Sequence, residues 1–264
     1  MKGLRQMGRM RFLLLFAAVC AWSFAARGAE DDAVLELWKQ HMAAADDHET
    51  ALKVCRGFAT VHPGDPLLPM VRGLEEWHLL RTGRRSDVLK MLAVDLVAPP
   101  GAVTDGARRV AQGWLTREDR DQVAAALQGY YRKNVAYPKT LDQLPTDARP
   151  PMADRFGKPW NYKLAGFAKV KGFADQKYAL ESAALGDTSE FKAALKLPYA
   201  ARITAVPVEV VALPGGKQAV KFNVGGSPAV VGVGQAAGEL YLAFVGAKSV
   251  VVCDCTHWKI IPRP

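Results

Sequence analysis

Apolar positions recur with the period of an α-helix from Asp31 to about Leu96. In four stretches they are spaced three or four residues apart, so one face of each helix would point toward a core. The stripes are Val34, Leu37, Trp38, His41 and Met42; Ala51, Leu52, Cys55, Phe58 and Ala59; Leu68, Val71, Leu74, Trp77, His78 and Leu79; and Val88, Leu89, Met91 and Leu92. Proline and glycine punctuate the gaps at residues 63–66 and 82–83. The pattern predicts helical hairpins.

A longer helix is predicted to end near Asn134. Its apolar stripe consists of Val123, Ala126, Leu127, Tyr130 and Tyr131. Residues 106–115 are interpreted as the upstream part of the same helix, which Gly113 interrupts only in part. Pro138 disfavours helical geometry at Tyr137, and asparagine tolerates the left-handed conformation that ends many helices. Asn134 is therefore the expected terminator.

Shorter elements follow this helix. Thr140 and Gln143 have the spacing of a capping box, which predicts one helical turn over 141–144. A strand is predicted to start with the alternating residues Trp160, Tyr162 and Leu164. Residues 177–181 alternate in the same way and predict the next strand.

The last part of the chain changes to a period of two. Before this change, Asp187 is expected to cap a helix over 188–195, with Glu190 at the third helical position. From Val206 onward, short alternating runs are separated by glycine-containing turns. Five or six such strands indicate a small β-sandwich or barrel.

These elements predict an α+β protein in four parts. A signal peptide or anchor occupies 1–28, a helical bundle 30–98, a module of one helix and a small antiparallel sheet 104–200, and a small all-β domain 204–264. The helix pairs of 30–98 resemble tetratricopeptide units, because Gly73 and Trp77 approximate part of that repeat. A two-unit repeat and a generic helical bundle both fit, and both surfaces commonly bind proteins.

The central module resembles the globular end of the major pseudopilin of type II secretion systems. The likeness consists of a long helix, N-x-x-Y-P, a short turn, and D-x-F-G-x-P-W-x-Y leading into a strand. The residues that carry it are Tyr130, Tyr131, Tyr137, Pro138, Asp154, Phe156, Gly157, Pro159, Trp160 and Tyr162. The resemblance implies packing roles for these residues, and Asp154 would accept backbone N–H groups in the tight turn before Gly157.

One departure from the pilin-like family lies near the start of the chain. Subunits that assemble into filaments carry a glycine followed by F/M-T-x-x-E, and no such sequence stands between Gly8 and Glu30. We therefore expect a pilin-like head that is not assembled as a pilin subunit. A weaker resemblance links the C-terminal region to a periplasmic domain of inner-membrane components of type II secretion and type IV pilus systems. It rests on Val233, Gly234, Gly238, Leu240, Val245, Val250 and Val251.

The first 28 residues have the composition of an export signal. Lys2, Arg5, Arg9 and Arg11 precede an almost wholly apolar run over 12–26, which is short for a membrane span. Cleavage after residue 25 or 28 and retention as an anchor all fit. The formal net charge is +9, and removing these four cations and Arg27 leaves +4. No basic surface with interleaved aromatics is apparent, so nucleic acid is not an expected partner.

Candidate metal ligands are few. Cys253, Cys255 and His257 alternate, so on a strand they would share one face and could supply three zinc ligands. The alternatives are core packing or a disulfide from Cys55 to either of the other cysteines. In the pseudopilin family the loop after the second strand holds calcium, and the only candidates here are Asp187 and Glu190. Calcium needs six to eight oxygens, and helix capping already accounts for both carboxylates.

No catalytic motif accompanies these candidates, so the predicted protein is not an enzyme and needs no cofactor. We predict an exported protein of the periplasm or envelope that binds protein partners, such as pseudopilins, the secretin or inner-membrane secretion components. It would meet the membrane only through an uncleaved signal. One alternative is a metal-binding or hydrolytic enzyme that uses Cys253, Cys255 and His257. The other is a pilin-like fold reused in an unrelated envelope binding protein.

Overall fold

The computed structural model describes residues 31–145, 149–170 and 173–264, and its fold class is α+β, as predicted. The predicted signal over 1–28 lies outside these ranges. The helices are α1 (31–43), α2 (His48–Val61), α3 (Leu68–Arg81), α4 (Arg85–Leu96), α5 (Ala102–Asn134) and α6 (Phe191–Lys196). The strands are β1 (Asn161–Val170), β2 (Phe173–Glu181), β3 (Val206–Ala212), β4 (Gln218–Val224), β5 (Ser227–Gly232), β6 (Gln235–Ala237), β7 (Leu240–Val245), β8 (Ser249–Cys253) and β9 (Trp258–Pro262). Within the described ranges, every helix is too short or too polar to cross a bilayer.

The first four helices confirm the predicted apolar stripes except at Met42, which is 40% exposed and lies outside the core. Helix α2 begins where Asp47 accepts hydrogen bonds from the Thr50 amide at 3.1 Å and the Thr50 hydroxyl at 2.7 Å. Such a cap satisfies a backbone donor that the first turn leaves unpaired. The apolar faces of α1, α2, α3 and α4 then meet in the main core.

Helix α5 runs without interruption through Gly113, which confirms that residues 106–115 are its upstream part. The interpretation of Gly113 as a partial break is wrong. A Cβ atom at this position would lie 1.7 Å from the carbonyl oxygen of Cys255, so glycine is needed for close packing. The predicted left-handed terminator is also displaced by one residue, since Val135 has φ 58° and Asn134 is the last helical residue.

The C-terminal strands form two antiparallel sheets, ordered β3-β4-β5 and β6-β7-β8-β9. They number seven, where the sequence predicted five or six. Leu242 and Val252 point from the second sheet toward the first and share a core with it. The two sheets therefore make a sandwich.

The second sheet is buried on its other face as well. Val251 and Trp258 pack there against the helices in the main core. Trp258 fits between two helical glycines, since a Cβ at Gly73 of α3 would lie 2.3 Å from its Nε1 and one at Gly106 of α5 2.6 Å from its Cη2. Helices, second sheet and first sheet thus form three layers.

A separate core lies at the outer end of α5. Its buried members are Val123, Leu127, Leu141, Leu144, Trp160 and Leu180. They join the second half of α5 to the 3₁₀ turn Leu141–Gln143 and the hairpin of β1 and β2. We call this unit the hairpin module.

Two capping predictions are wrong. The Thr140 side chain makes no capping hydrogen bond, and Gln143 Oε1 instead accepts from the Lys139 amide at 2.7 Å. The single helix predicted over 188–195 is in fact two elements, a 3₁₀ turn at 186–188 and α6. The Ser189 hydroxyl, between the two elements, accepts from the Ser182 amide at 2.9 Å and holds residues 182–189 in a loop.

Candidate functional site

A row of half-buried tyrosines runs along the hairpin module. The ring centroids of Tyr131 and Tyr137 are 4.7 Å apart, those of Tyr137 and Tyr178 4.7 Å, and those of Tyr162 and Tyr178 6.0 Å. Tyr130 packs against the same core. We call these five residues the tyrosine row. They join the end of α5, the segment after it and both strands of the hairpin.

Hydrogen bonds fix the row in place. The Tyr162 hydroxyl donates to the carbonyl oxygen of the buried Pro138 at 2.7 Å, and Gln128 Nε2 donates to the Tyr137 hydroxyl at 2.9 Å. Burial, followed by the nearby Tyr178 and Tyr137, raises the pKa of Tyr162 to about 12. The Tyr162 hydroxyl therefore stays protonated at neutral pH and acts as a hydrogen-bond donor, with the aromatic face of its ring beside it.

Asp154 organises the turn that leads into β1. Its Oδ1 accepts from the amides of Phe156 at 3.0 Å and Lys158 at 2.9 Å, and its Oδ2 accepts from the Ser182 hydroxyl at 2.6 Å. Acceptance from these backbone amides is the turn-stabilising role predicted for Asp154. Gly157 adopts φ 76°, a conformation that disfavours side chains.

The rest of the predicted motif surrounds this turn. Phe156 is half-buried, and Pro159 pairs with Ala153 through an isolated β-bridge. Trp160 is buried, and its indole N–H donates to the carbonyl oxygen of Pro151 at 2.8 Å. The structure therefore brings the motif residues together as packing residues around one turn and one hairpin.

The calcium candidates each contact an arginine. Asp187 Oδ1 lies 3.0 Å from Arg202 Nη1, and Glu190 Oε1 lies 3.0 Å from Arg120 Nη2. The prediction that Asp187 caps the following helix is wrong, because Glu190 occupies the N-cap position of α6 and makes no side-chain capping hydrogen bond. An arginine beside each carboxylate opposes the binding of a dication.

The prediction that Cys253, Cys255 and His257 share one strand face is wrong. Strand β8 ends at Cys253, and a turn over 254–257 leads into β9. Asp254 Oδ1 shapes this turn by accepting from the amides of Thr256 and His257, each at 2.6 Å. The Cys253 thiol points toward α5 and donates to the carbonyl oxygen of Gly106 at 3.6 Å.

These buried groups are poor metal ligands as they stand. Cys55, Cys253 and Cys255 are free, and burial raises the pKa of Cys253 well above that of an ordinary thiol and that of Cys255 to about 11. Metal binding needs thiolates. The His257 ring packs edge-on to Trp77 at 4.6 Å and Tyr199 at 4.8 Å. In the ranges that the structure describes, no three histidine, cysteine or acidic side chains are grouped to hold a metal ion.

Arg117 joins α5 to the same turn. It is fully buried, and its guanidinium donates to the Thr188 carbonyl at 2.8 Å, the Cys255 carbonyl at 3.2 Å and the Thr256 hydroxyl at 2.7 Å. Burial lowers its pKa to about 10. It remains a cation at neutral pH and joins α5 to the 3₁₀ turn at 186–188 and to the turn between β8 and β9.

Sequence reasoning missed a line of three histidines. His78 of α3 lies between His48 of α2 and His41 of α1, with nitrogen–nitrogen distances of 3.0 Å and 2.9 Å. His41 and His78 are fully buried on the apolar stripes where the sequence placed them. Their positions within two stripes were the only available signal, and local spacing cannot pair residues 37 positions apart.

Comparisons with known proteins add no family to this description. No family model, curated protein or solved structure matches the chain. The resemblance to the pseudopilin head stays a prediction from the sequence motif.

Proposed function

We propose that this chain is an exported, non-enzymatic envelope protein whose hairpin module binds another protein, as a component related to type II secretion or type IV pilus machinery. The observation that carries this proposal is the tyrosine row on a module with its own core. The secretion context comes from the residues that resemble a pseudopilin head and from the predicted export signal.

The tyrosine row has the chemistry of a protein-binding surface. Tyrosine is enriched at such interfaces because it offers a large rigid apolar face and one polar group at low entropic cost. The rings of Tyr131 and Tyr137 pack together at the surface. Gln128 holds the Tyr137 hydroxyl, and the Pro138 carbonyl holds that of Tyr162. A partner would therefore meet a preorganised surface.

Exposed cations border the row. Arg132 and Lys133 directly follow Tyr131 on the last turn of α5, and Lys139 follows the buried Pro138. Positive charge at a helix C-terminus also offsets the helix dipole, so these residues stabilise α5 without a partner. On the proposed surface they favour a partner that presents acidic groups.

Affinity capture with matched variants tests the proposal. The tagged full-length protein is crosslinked mildly in its native envelope, and coupled proteins are quantified by mass spectrometry. We expect the natural chain to recover pseudopilins, secretin or inner-membrane secretion components, and Tyr131→Ala and Lys133→Glu to lose them. Lys90→Glu on α4 is the matched control, since Lys90 is also an exposed helical lysine.

Two results would count against the proposal. Equal recovery by natural chain and variants would remove the tyrosine row from the interface. Recovery of the folded protein without any secretion component would favour the alternative of a pilin-like fold reused for another purpose.

A further inference from the structure

The three histidines join three helices at one point. His41 is on the last part of α1, His48 is the first residue of α2, and His78 is near the end of α3. The opposite end of α1 is held differently, because Asp31 accepts from the Lys248 amide at 2.9 Å and from the Ser249 hydroxyl. Helix α1 thus has one tether to the sheet and one to the histidine line.

The neighbouring arginine sets the favoured order of the imidazole protons. Arginine has donors only, so Arg81 Nε, 3.5 Å from His48 Nε2, favours the tautomer in which that nitrogen is bare. His48 then carries its proton on Nδ1 and donates to His78 Nδ1. His78 in turn carries its proton on Nε2 and donates to His41 Nε2. The proton of neutral His41 is left on Nδ1, which is buried and has no hydrogen-bond partner in the described chain.

In this arrangement, neither His78 nor His41 can accept a second proton. A second proton on His78 or His41 would place two N–H groups against each other, at separations of 3.0 Å or 2.9 Å. Aromatic rings enclose His41, since Trp38 stacks on it with centroids 5.5 Å apart and Tyr199 packs edge-on at 4.9 Å. Burial, and next the neighbouring His78, lowers the pKa of His41 to about 3; burial, His48 and Arg81 lower that of His78 to about 4.

The charged neighbours do not offset an added proton. Arg81 of α3 is a cation beside His48. Beyond Tyr199, His257 is a neutral ring whose pKa burial and the buried Arg117 lower to about 3. Asp47, before α2, already bonds to Thr50. Among the described hydrogen bonds and ion pairs of the three histidines, no carboxylate takes part.

We propose that the histidine line is an acid-sensitive latch that holds the end of α1 against α3 and releases it when the surrounding pH falls. Once α1 separates, His41 and His78 reach water and take up the protons that the closed state refuses. The free energy of that uptake favours the open state below the ordinary histidine pKa. The proposal is independent of the docking role of the hairpin module.

Hydrogen exchange followed by mass spectrometry measures the release. Peptides covering residues 31–43 are compared at pH 7 and pH 5 after correction for the intrinsic exchange rate. Each histidine that gains a proton on opening should lower protection by about 20-fold over this interval. Peptides from β7 and β8 should keep their protection, because the sheet core contains no member of the line.

Variants assign the effect to the histidines. The double variant His41→Gln/His78→Gln should abolish the pH dependence in residues 31–43. His62→Gln, which replaces a histidine just after α2, should leave it unchanged. The latch would be overturned if, in the natural chain, the protection of residues 31–43 fell by less than about threefold between pH 7 and pH 5. It would also be overturned if all peptides lost protection equally.

The proton positions provide a measurement that needs no variant. Nitrogen NMR of the natural protein at pH 7 should report His48 protonated at Nδ1, His78 at Nε2 and His41 at Nδ1. The opposite tautomers, or an imidazolium at position 41 or 78, would overturn the proposed hydrogen-bond order even if a variant failed to fold.

Discussion

Replacing Gly113 by alanine should force α5 away from the turn that follows β8. The added Cβ would lie 1.7 Å from the carbonyl oxygen of Cys255 and 2.8 Å from its carbonyl carbon. Both atoms belong to the backbone, so no side chain can rotate aside. To reach an ordinary contact, helix and turn must separate by roughly 1.5 to 2 Å.

The expected loss follows from the contacts in this region. Overpacking a rigid core costs about 1 to 3 kcal/mol. The same separation strains two buried hydrogen bonds, from Trp114 Nε1 to the Thr256 carbonyl at 3.1 Å and from Arg117 to the Cys255 carbonyl at 3.2 Å. Each costs about 1 to 3 kcal/mol if it is broken. Alanine returns about 1 kcal/mol through helix propensity, so the net loss should be roughly 5 kcal/mol.

Urea unfolding, followed by tryptophan fluorescence and circular dichroism, measures the change. Gly129→Ala is the matched control, because Gly129 lies on the same helix and a Cβ there meets no atom within 4 Å. That variant should gain about 1 kcal/mol by propensity alone. If Gly113→Ala were as stable as the natural chain within about 1 kcal/mol, the close approach of α5 to the turn would be refuted.

Three further predictions concern stability and reactivity. Asp154→Ala should lower the free energy of unfolding by about 3 kcal/mol, because it leaves two amides and a buried hydroxyl unpaired. Asp187→Ala, which removes an exposed ion pair, should cost less than about 1 kcal/mol in the same urea assay; equal losses would contradict the assigned role of Asp154. Val135→Gly should gain about 1 kcal/mol, since valine occupies a left-handed position there, and an unchanged midpoint would argue against that conformation. The thiols of Cys55, Cys253 and Cys255 should react slowly with iodoacetamide at pH 8 until the protein unfolds, because burial raises their pKa values. Rapid labelling of these three residues in the native protein, read by peptide mass spectrometry, or about one equivalent of tightly bound zinc would favour the metal-binding alternative.

Local patterns predicted the elements well and their contacts poorly. The stripe from Val123 to Tyr131 located the second half of α5, and alternation located β1 and the C-terminal strands, because each pattern reflects one buried face. The packing of Trp258 between Gly73 and Gly106 could not be predicted, and Gly73 was instead interpreted as part of a tetratricopeptide-like unit. Both glycines make room for a tryptophan more than a hundred positions away, and local spacing does not show such a contact.

In the candidate sites, too, the sequence predicted local hydrogen bonds but not contacts between distant elements. The hydrogen bonds of Asp154 to nearby amides follow from its position before Gly157, so the sequence could predict them. The turn over 254–257 could not be distinguished from a continuing strand, because cysteine and histidine alternate across it. The histidine line required knowledge of how three helices pack.

Helix α5 is shared by two cores, with Val110 and Trp114 in the main core and Val123 and Leu127 in that of the hairpin module. A continuous helix of 33 residues is about 50 Å long and resists bending. A partner bound at the tyrosine row, as proposed above, would therefore pull on a stiff helix whose other half is held by the close contacts of Gly106 with Trp258 and of Gly113 with Cys255. The main core, and not a flexible joint, would carry that load.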